Sequence, residues 1–172
     1  MKNIFVLLIT SIGLFSCSGG MDMSGLSKEE KLEYKIIGKI EKRLKKEKGL
    51  YSSSIGSEDK GTYFIRDIGF HYNKSINIDE MRELLVYIVQ MFIENYNQSK
   101  ELLSYVKEPY TIKNFEITIY LDKDLPPPAL SIGGLSKEML KYYSYDKEGE
   151  GTGIKGIYKE TYQEALEKLG KK

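Results

Sequence analysis

The chain has one cysteine, Cys17, and one histidine, His71, and these two side chains offer the most versatile chemistry in the sequence. A cysteine thiolate is a nucleophile and a target for covalent modification, and a neutral imidazole serves as a general base or a metal ligand. A Cys/His zinc site needs four ligands, so one residue of each kind cannot supply it. The sequence therefore predicts no metal site, and the chemistry of Cys17 becomes the main question.

His71 has no recognisable catalytic partners in the sequence. A Ser-His-Asp triad could use it, but the G-x-S-x-G turn that presents a nucleophilic serine is absent. The S-x-x-K pattern of penicillin-interacting enzymes begins at Ser57, Ser104 and Ser144, yet the chain is rich in lysine and lacks the K-T-G companion. Since His71 falls within a strand-like pattern, we expect it to face solvent or to lie at an edge. An enzymatic role stays open but is not favoured.

Residues 151–156 match the G-x-G-x-x-G pattern of dinucleotide-binding proteins. That motif works only where a strand leads into it and a helix N-terminus follows to hold the pyrophosphate. Here the pattern lies near the end of the chain with no β-α-β unit after it, and residues 146–156 are predicted to form a loop. The sequence therefore predicts no cofactor.

The residues before Cys17 have the composition of an export signal. Lys2 provides a positive start, residues 4–15 form a largely apolar core of 12 residues, and Ser16 is a small residue before the cleavage point. A membrane-spanning helix needs roughly 20 residues, so this segment is too short to be a permanent anchor. We therefore predict that residues 1–16 are a signal peptide that is removed on export.

The tetrapeptide Leu14-Phe15-Ser16-Cys17 resembles the lipobox of bacterial lipoproteins. The resemblance implies that the Cys17 thiol is acylated, that the signal is cleaved before it, and that Cys17 becomes the new N-terminus. It also implies a lipid-anchored position on the cell membrane or outer membrane, on the exported (periplasmic or surface) side. The alternative is an ordinary signal peptide cut near Ser16 or Ser18, which would leave a free thiol.

The remaining sequence divides into a short tether and one domain. Residues 17–26 contain serine and glycine and are predicted to form a flexible tether. Residues 27–172 are numerous enough for a single domain with a substantial core. The chain has 26 basic and 25 acidic residues, a balance that gives no indication of nucleic-acid binding. Because there is no disulfide framework, stability must come from apolar burial.

Two long helices are predicted from their start signals and apolar periodicity. An S-x-x-E capping box precedes apolar residues at a spacing of four, which predicts a helix over 28–48. A similar start at Asn77 predicts a second helix. Its segment 84–93 is apolar on nearly every side, so we expect the sheet on one side of it and another helix, or a partner, on the other.

Alternating apolar and polar residues predict the strands. A hairpin is expected over 50–73, and residues 114–122 show the clearest alternation. Weaker strands are predicted at 130–132 and 139–145, with a last helix at about 158–169. The order α-ββ-α-ββ(β)-α predicts an α+β two-layer sandwich, with an antiparallel sheet of four or five strands and the helices packed on one face.

Four tyrosines are the candidate binding residues. Tyr142, Tyr143 and Tyr145 lie in one predicted strand, and Tyr120 lies in another. Tyrosine combines a large apolar ring with a hydroxyl, so tyrosines on an exposed sheet face could bind a peptide, a glycan or a partner protein. The alternative is compositional, since the chain has 14 tyrosines.

Two further segments, EPYTIKNFEI at 108–117 and KETYQEA at 159–165, are similar to a group of small, uncharacterised bacterial lipoproteins. This resemblance implies a single exported α+β domain and assigns no site. Our first hypothesis is a non-enzymatic, lipid-anchored envelope domain that binds another protein or an envelope polymer. The alternatives are a small envelope hydrolase or hydrolase inhibitor, and a structural subunit in which segment 84–93 packs on a partner.

Overall fold

The computed structural model describes residues 24–59, 64–121, 130–145 and 153–171. The predicted signal peptide, Cys17 and most of the predicted tether lie outside the described residues. The helices are α1 (Lys28–Lys48), α2 (Ile78–Gln98), α3 (Lys100–Leu103) and α4 (Tyr162–Lys168), with a 3₁₀ turn at Ile112–Asn114. The strands are β1 (Leu50–Asp59), β2 (Phe64–Tyr72), β3 (Phe115–Leu121), β4 (Leu130–Ser136), β5 (Met139–Tyr145) and β6 (Ile154–Thr161).

The six strands form one sheet in which they lie side by side in chain order. β2 and β3 run parallel, and every other neighbouring pair is antiparallel. The parallel pair arises because α2 lies between β2 and β3 in the chain and returns it to the end of the sheet where β2 began. The α+β class is therefore confirmed. The prediction of an antiparallel sheet of four or five strands is matched only in part, because the sheet has six strands and one of its five pairs is parallel.

The prediction of a loop over 146–156 is wrong at its end, because strand β6 begins at Ile154. Tyr143 of β5 pairs with Gly156 of β6, so the segment is held in place by the ladder between these strands. A strand specified by its neighbour leaves little periodicity of its own for sequence reasoning to detect. Residues 146–152, which include the first part of the G-x-G-x-x-G pattern, lie outside the described residues.

The last helix is shorter than the 158–169 predicted, because β6 occupies the beginning of that range. The helix α4 starts after Thr161, whose hydroxyl accepts a hydrogen bond from the Glu164 N–H at 3.1 Å. The Glu164 carboxylate in turn accepts from the Thr161 N–H at 2.7 Å. This capping box was the signal in the sequence that could have placed the start of the helix correctly.

The helix α1 begins and ends as the sequence predicts. The Ser27 hydroxyl accepts a hydrogen bond from the Glu30 N–H at 3.2 Å, and the Glu30 carboxylate accepts from the Ser27 N–H at 2.8 Å. The helix ends at Gly49, whose φ of 76° is the left-handed conformation that favours glycine.

The position of α2 explains why residues 84–93 are apolar nearly all round. It packs against α1 and α4, and it also contacts strands β3, β4 and β5. Val86 and Val89 are therefore as fully buried as Leu85 and Ile88. The expectation of a second helix beside α2 is confirmed within the chain. None of the described helices is long and apolar enough to cross a membrane.

The two sides of the sheet differ because successive side chains of a strand point in opposite directions. Ile68, Phe70, Ile117 and Ile119 belong to the side that joins the helices in one buried core. Gly133 of β4 marks this side, since a Cβ atom there would lie 2.4 Å from Cγ of Met81 in α2. We call the opposite side of the sheet the outer face.

We expect Gly133→Ala to lower the free energy of unfolding by about 1–3 kcal/mol, because the added methyl overpacks against buried Met81. The matched control is Gly38→Ala in α1, where a Cβ has no atom within 4 Å. That variant should gain up to about 1 kcal/mol from the better helix propensity of alanine. Urea unfolding followed by circular dichroism measures both, and equal effects of the two variants would contradict the described packing of α2.

Candidate functional site

A row of large side chains crosses the outer face at right angles to the strands. Each member is the register partner of the next on the neighbouring strand. Because paired residues share a face of the sheet, their side chains project on the same side. We call this set the aromatic row, and it consists of Tyr51, His71, Tyr120, Ile132 and Tyr143.

The rings at one end of the aromatic row are open to solvent. Tyr51 is 48% exposed and Tyr120 is 37% exposed. His71 lies between them, with its ring centroid 5.6 Å from that of Tyr120. The Lys45 ammonium lies 5.0 Å from the Tyr51 ring centroid, a cation–π contact that helps to position this ring at the edge of the sheet. Towards the other end, Ile132 and Tyr143 are half-buried.

Next to the aromatic row lies a line of small side chains on the same face. We call this line the floor, and its members are register partners across four strands: Ser54, Gly69, Thr118 and Gly134. A Cβ at Gly69 would lie 2.4 Å from Ser54 Oγ and 2.7 Å from Ser53 Oγ, so the glycine makes room for both hydroxyls. The register shift between Ser52 and Ser54 places Ser53 here, and its hydroxyl has no hydrogen-bond partner within the described residues.

Two like-charged pairs also lie on the outer face. Asp67 of β2 is the register partner of Glu116 of β3, and we call these residues the acidic pair. Burial raises the pKa of Asp67, and the negative charge of Glu116 raises it further. Lys141 of β5 is the register partner of Lys159 of β6, and we call these the basic pair. The basic pair continues the floor, because Lys141 is also the partner of Gly134.

A different set of charges is buried on the helix-facing side, around Glu160. Its carboxylate accepts hydrogen bonds from Arg82 Nε and from the Tyr142 hydroxyl, each at 2.6 Å, and from Lys168 Nζ at 2.7 Å. Burial alone would raise the pKa of Glu160, but the hydrogen bonds from Arg82, Lys168 and Tyr142 outweigh it and lower the pKa. These contacts join α2, β5, β6 and α4, so this cluster has the role of a structural clamp.

A second buried ion pair joins Glu33 of α1 to Arg66 of β2. Arg66 Nε donates a hydrogen bond to Glu33 Oε1 at 3.1 Å, and Arg66 Nη2 contacts Glu33 Oε2. The Tyr110 hydroxyl donates to Glu33 Oε1 at 3.4 Å. Burial raises the pKa of Glu33, and the charge of Arg66 opposes that rise only in part. This pair explains why Arg66, a basic residue, lies on the same side of β2 as the buried apolar residues Ile68 and Phe70.

The structure separates the tyrosines that the sequence grouped together. Tyr120 and Tyr143 lie on the outer face, as a binding role requires. Tyr142 does not lie on an exposed sheet face as predicted. It is fully buried on the helix-facing side, because adjacent residues of a strand point to opposite faces. The Tyr145 side chain and Cys17 lie outside the described residues.

Two members of the aromatic row, Tyr51 and His71, were not among the binding residues predicted from the sequence. The expectation that His71 faces solvent is confirmed. Only the pairing of β1 with β2 and of β2 with β3 brings these residues beside Tyr120. The alternation within each strand could have placed each one on a face, but it could not order the strands.

Comparison with known proteins gives no match to a protein-family model, to a curated protein or to a solved structure. In the described part of the chain, no group of three or more His, Cys, Asp or Glu residues is arranged to hold a metal ion. The outer face thus offers aromatic rings, small hydroxyl-bearing residues and two separated charge pairs as its chemical groups.

We expect Glu160→Gln to lower the free energy of unfolding at neutral pH by about 3 kcal/mol, since it leaves Arg82 without a buried counter-ion. Because the pKa of Glu160 is lowered from 4.5, its stabilisation is complete above that pH. It is lost as the pH falls through the lowered value, so the difference between variant and wild type should shrink in acid. Glu94→Gln, at an exposed position of α2, is the control and should change nothing. A pH-independent difference in chemical denaturation would contradict this account.

Proposed function

We propose that this chain is a bacterial lipoprotein whose domain binds another protein or an envelope polymer through the outer face of its sheet, without enzymatic activity. In this proposal Cys17 carries the lipid, residues 17–26 form the tether, and the domain lies on the exported side of the cell membrane or outer membrane. The domain is taken as two layers, with the outer face open to a partner.

The observation that carries the binding role is the aromatic row. Tyrosine rings supply a large contact area at a low cost in conformational entropy, and they are enriched at the centres of protein interfaces. Tyr51, His71 and Tyr120 are neighbours on three strands of one sheet, so their spacing is held by backbone hydrogen bonds before any partner arrives. A preorganised surface of this kind needs little ordering on binding.

The arrangement of His71 supports binding over hydrolysis. Its neighbours on the outer face are Tyr51 and Tyr120. The carboxylates of the acidic pair lie four residues further along the strands, which is about 13 Å at the rise of a β-strand. A general base needs an orienting partner and a nucleophile within hydrogen-bonding distance, and the acidic pair is too far away to supply one.

The lipid anchor is tested by expressing the whole chain in a bacterium with an alkyne-bearing fatty acid. We expect the label to enter the protein, and the intact mass of detergent-extracted material to match a chain that begins at an acylated Cys17. Cys17→Ser should lose the label because serine lacks the thiol, whereas Ser18→Ala should keep it. An unmodified thiol or a retained leader in the wild-type mass would contradict the proposal.

The binding face is tested by placing a photoreactive phenylalanine analogue at position 120 in cells. The matched control is position 105, because Tyr105 is 45% exposed and Tyr120 is 37% exposed, but Tyr105 follows α3 and lies outside the sheet. We expect a discrete crosslinked product from position 120 only. Tyr51→Ala should reduce its yield several-fold, since the ring beside His71 is lost. Equal yields from positions 120 and 105 would overturn the assignment of the outer face.

A further inference from the structure

The charges of the outer face are segregated, and each group is arranged unfavourably for the isolated protein. Like charges directly opposite each other on neighbouring strands destabilise a sheet. The acidic pair and the basic pair are both of this kind. Within the described residues, neither pair has an ion-pair partner of opposite charge. A partner that brought a cation to one pair and an anion to the other would relieve both repulsions.

The separation of the two pairs sets the size of such a partner. The acidic pair lies between β2 and β3, and the basic pair lies between β5 and β6, three strand spacings away. With about 4.8 Å between strands and an offset of two residues along them, the pairs are about 16 Å apart. An extended peptide covers that distance in about five residues.

The surface between the two pairs is shaped to admit an extended chain. The floor contributes only a hydroxymethyl, a threonine and two glycines, so it is lower than the aromatic row beside it. Tyr120 and Ile132 stand along one side, where they can contact an apolar side chain. The hydroxyls of Ser54, which is exposed, and of Thr118, which is half-buried, lie on the floor and can bond to a passing backbone group.

We propose that the outer face binds an extended peptide segment of a partner protein that carries a basic and an acidic side chain about five residues apart. The basic side chain lies between Asp67 and Glu116, and the acidic one lies between Lys141 and Lys159. An apolar residue between them contacts Tyr120 and Ile132. This inference rests on the proposed function of the same face and names the class of partner.

The opposite charges favour a peptide over the other envelope partners. A neutral glycan would bury the pairs without supplying a counter-charge to either. An anionic lipid surface would be attracted by the basic pair but repelled by the acidic pair. A peptide can present both signs at a defined spacing on one chain, and its backbone supplies groups for the hydroxyls of the floor.

The probes are terminally blocked ten-residue peptides with a fluorescent label, built on serine with one central leucine. One carries Lys and Asp five positions apart, a second carries them two apart, and a third has Gln and Asn in their places. Fluorescence anisotropy is measured with the full chain in neutral detergent at low salt. We expect the first peptide to bind most tightly, with about a two- to fivefold loss for each charge contact that a probe cannot make.

Variants assign the contacts to the two pairs. Asp67→Asn with Glu116→Gln should weaken the first peptide and leave the uncharged peptide unchanged, and Lys141→Gln with Lys159→Gln should do the same. Each double variant should have an equal or higher melting temperature, because it removes a like-charge repulsion. Glu94→Gln and Lys100→Gln, at exposed helical positions, are the matched controls and should not change binding.

Binding that is equal for all three peptides, undetectable for all of them, or lost together with folding in the double variants would overturn the peptide inference. If the photocrosslink at position 120 is still obtained in that case, the partner is a folded protein surface, a glycan or another polymer, and the proposed binding face stands. If position 120 gives no specific crosslink, the proposed function itself fails.

Discussion

The parallel pairing of β2 with β3 is the constraint on which the rest of this structure depends. It joins the hairpin β1–β2 to the four-stranded meander β3–β6, two units that α2 separates in the chain. Its register sets His71 beside Tyr120 and Asp67 beside Glu116. A shift of this register by one residue would move every outer side chain of one unit into the core and its apolar side chains into solvent. The register is therefore fixed by the buried residues Ile68, Phe70, Ile117 and Ile119.

Two kinds of charge coexist in this domain, and their environments assign them different roles. Glu33 and Glu160 are buried with arginine partners and tyrosine hydroxyls, so their charges are satisfied within the chain and tie helices to strands. The acidic and basic pairs of the outer face are set against residues of their own sign. Proteins tolerate locally unfavourable arrangements at functional sites, and the proposed binding role would account for these two pairs.

The helix-facing side supports the outer face through packing and hydrogen bonds. α2 is covered by α1, α4 and the sheet, and it presses on β4 at Gly133, where no larger residue fits without movement. The clamp around Glu160 holds the edge strand β6 to α2 and α4. This strand carries Lys159, one member of the basic pair. A surface supported in this way presents its groups at fixed spacings, which is what selective recognition of a partner needs.

The sequence alone determined the elements whose signals are local. The capping boxes at Ser27 and Asn77 located the two long helices, since a cap is made by residues within one turn. The alternation in residues 115–121 located β3 and its buried side for the same reason. The lipobox resemblance at Cys17 is likewise a local signal, and it stays a prediction.

Only the tertiary structure decided the sixth strand, the parallel pair and the composition of the outer face. Strand pairing depends on residues far apart in the chain, so no local pattern shows that Tyr51, His71 and Tyr120 are neighbours. It also separated Tyr142 from Tyr143, since strand alternation places one in the core and the other outside. The physical reason is that hydrogen bonding within a helix is satisfied locally, whereas a sheet is completed only by distant partners.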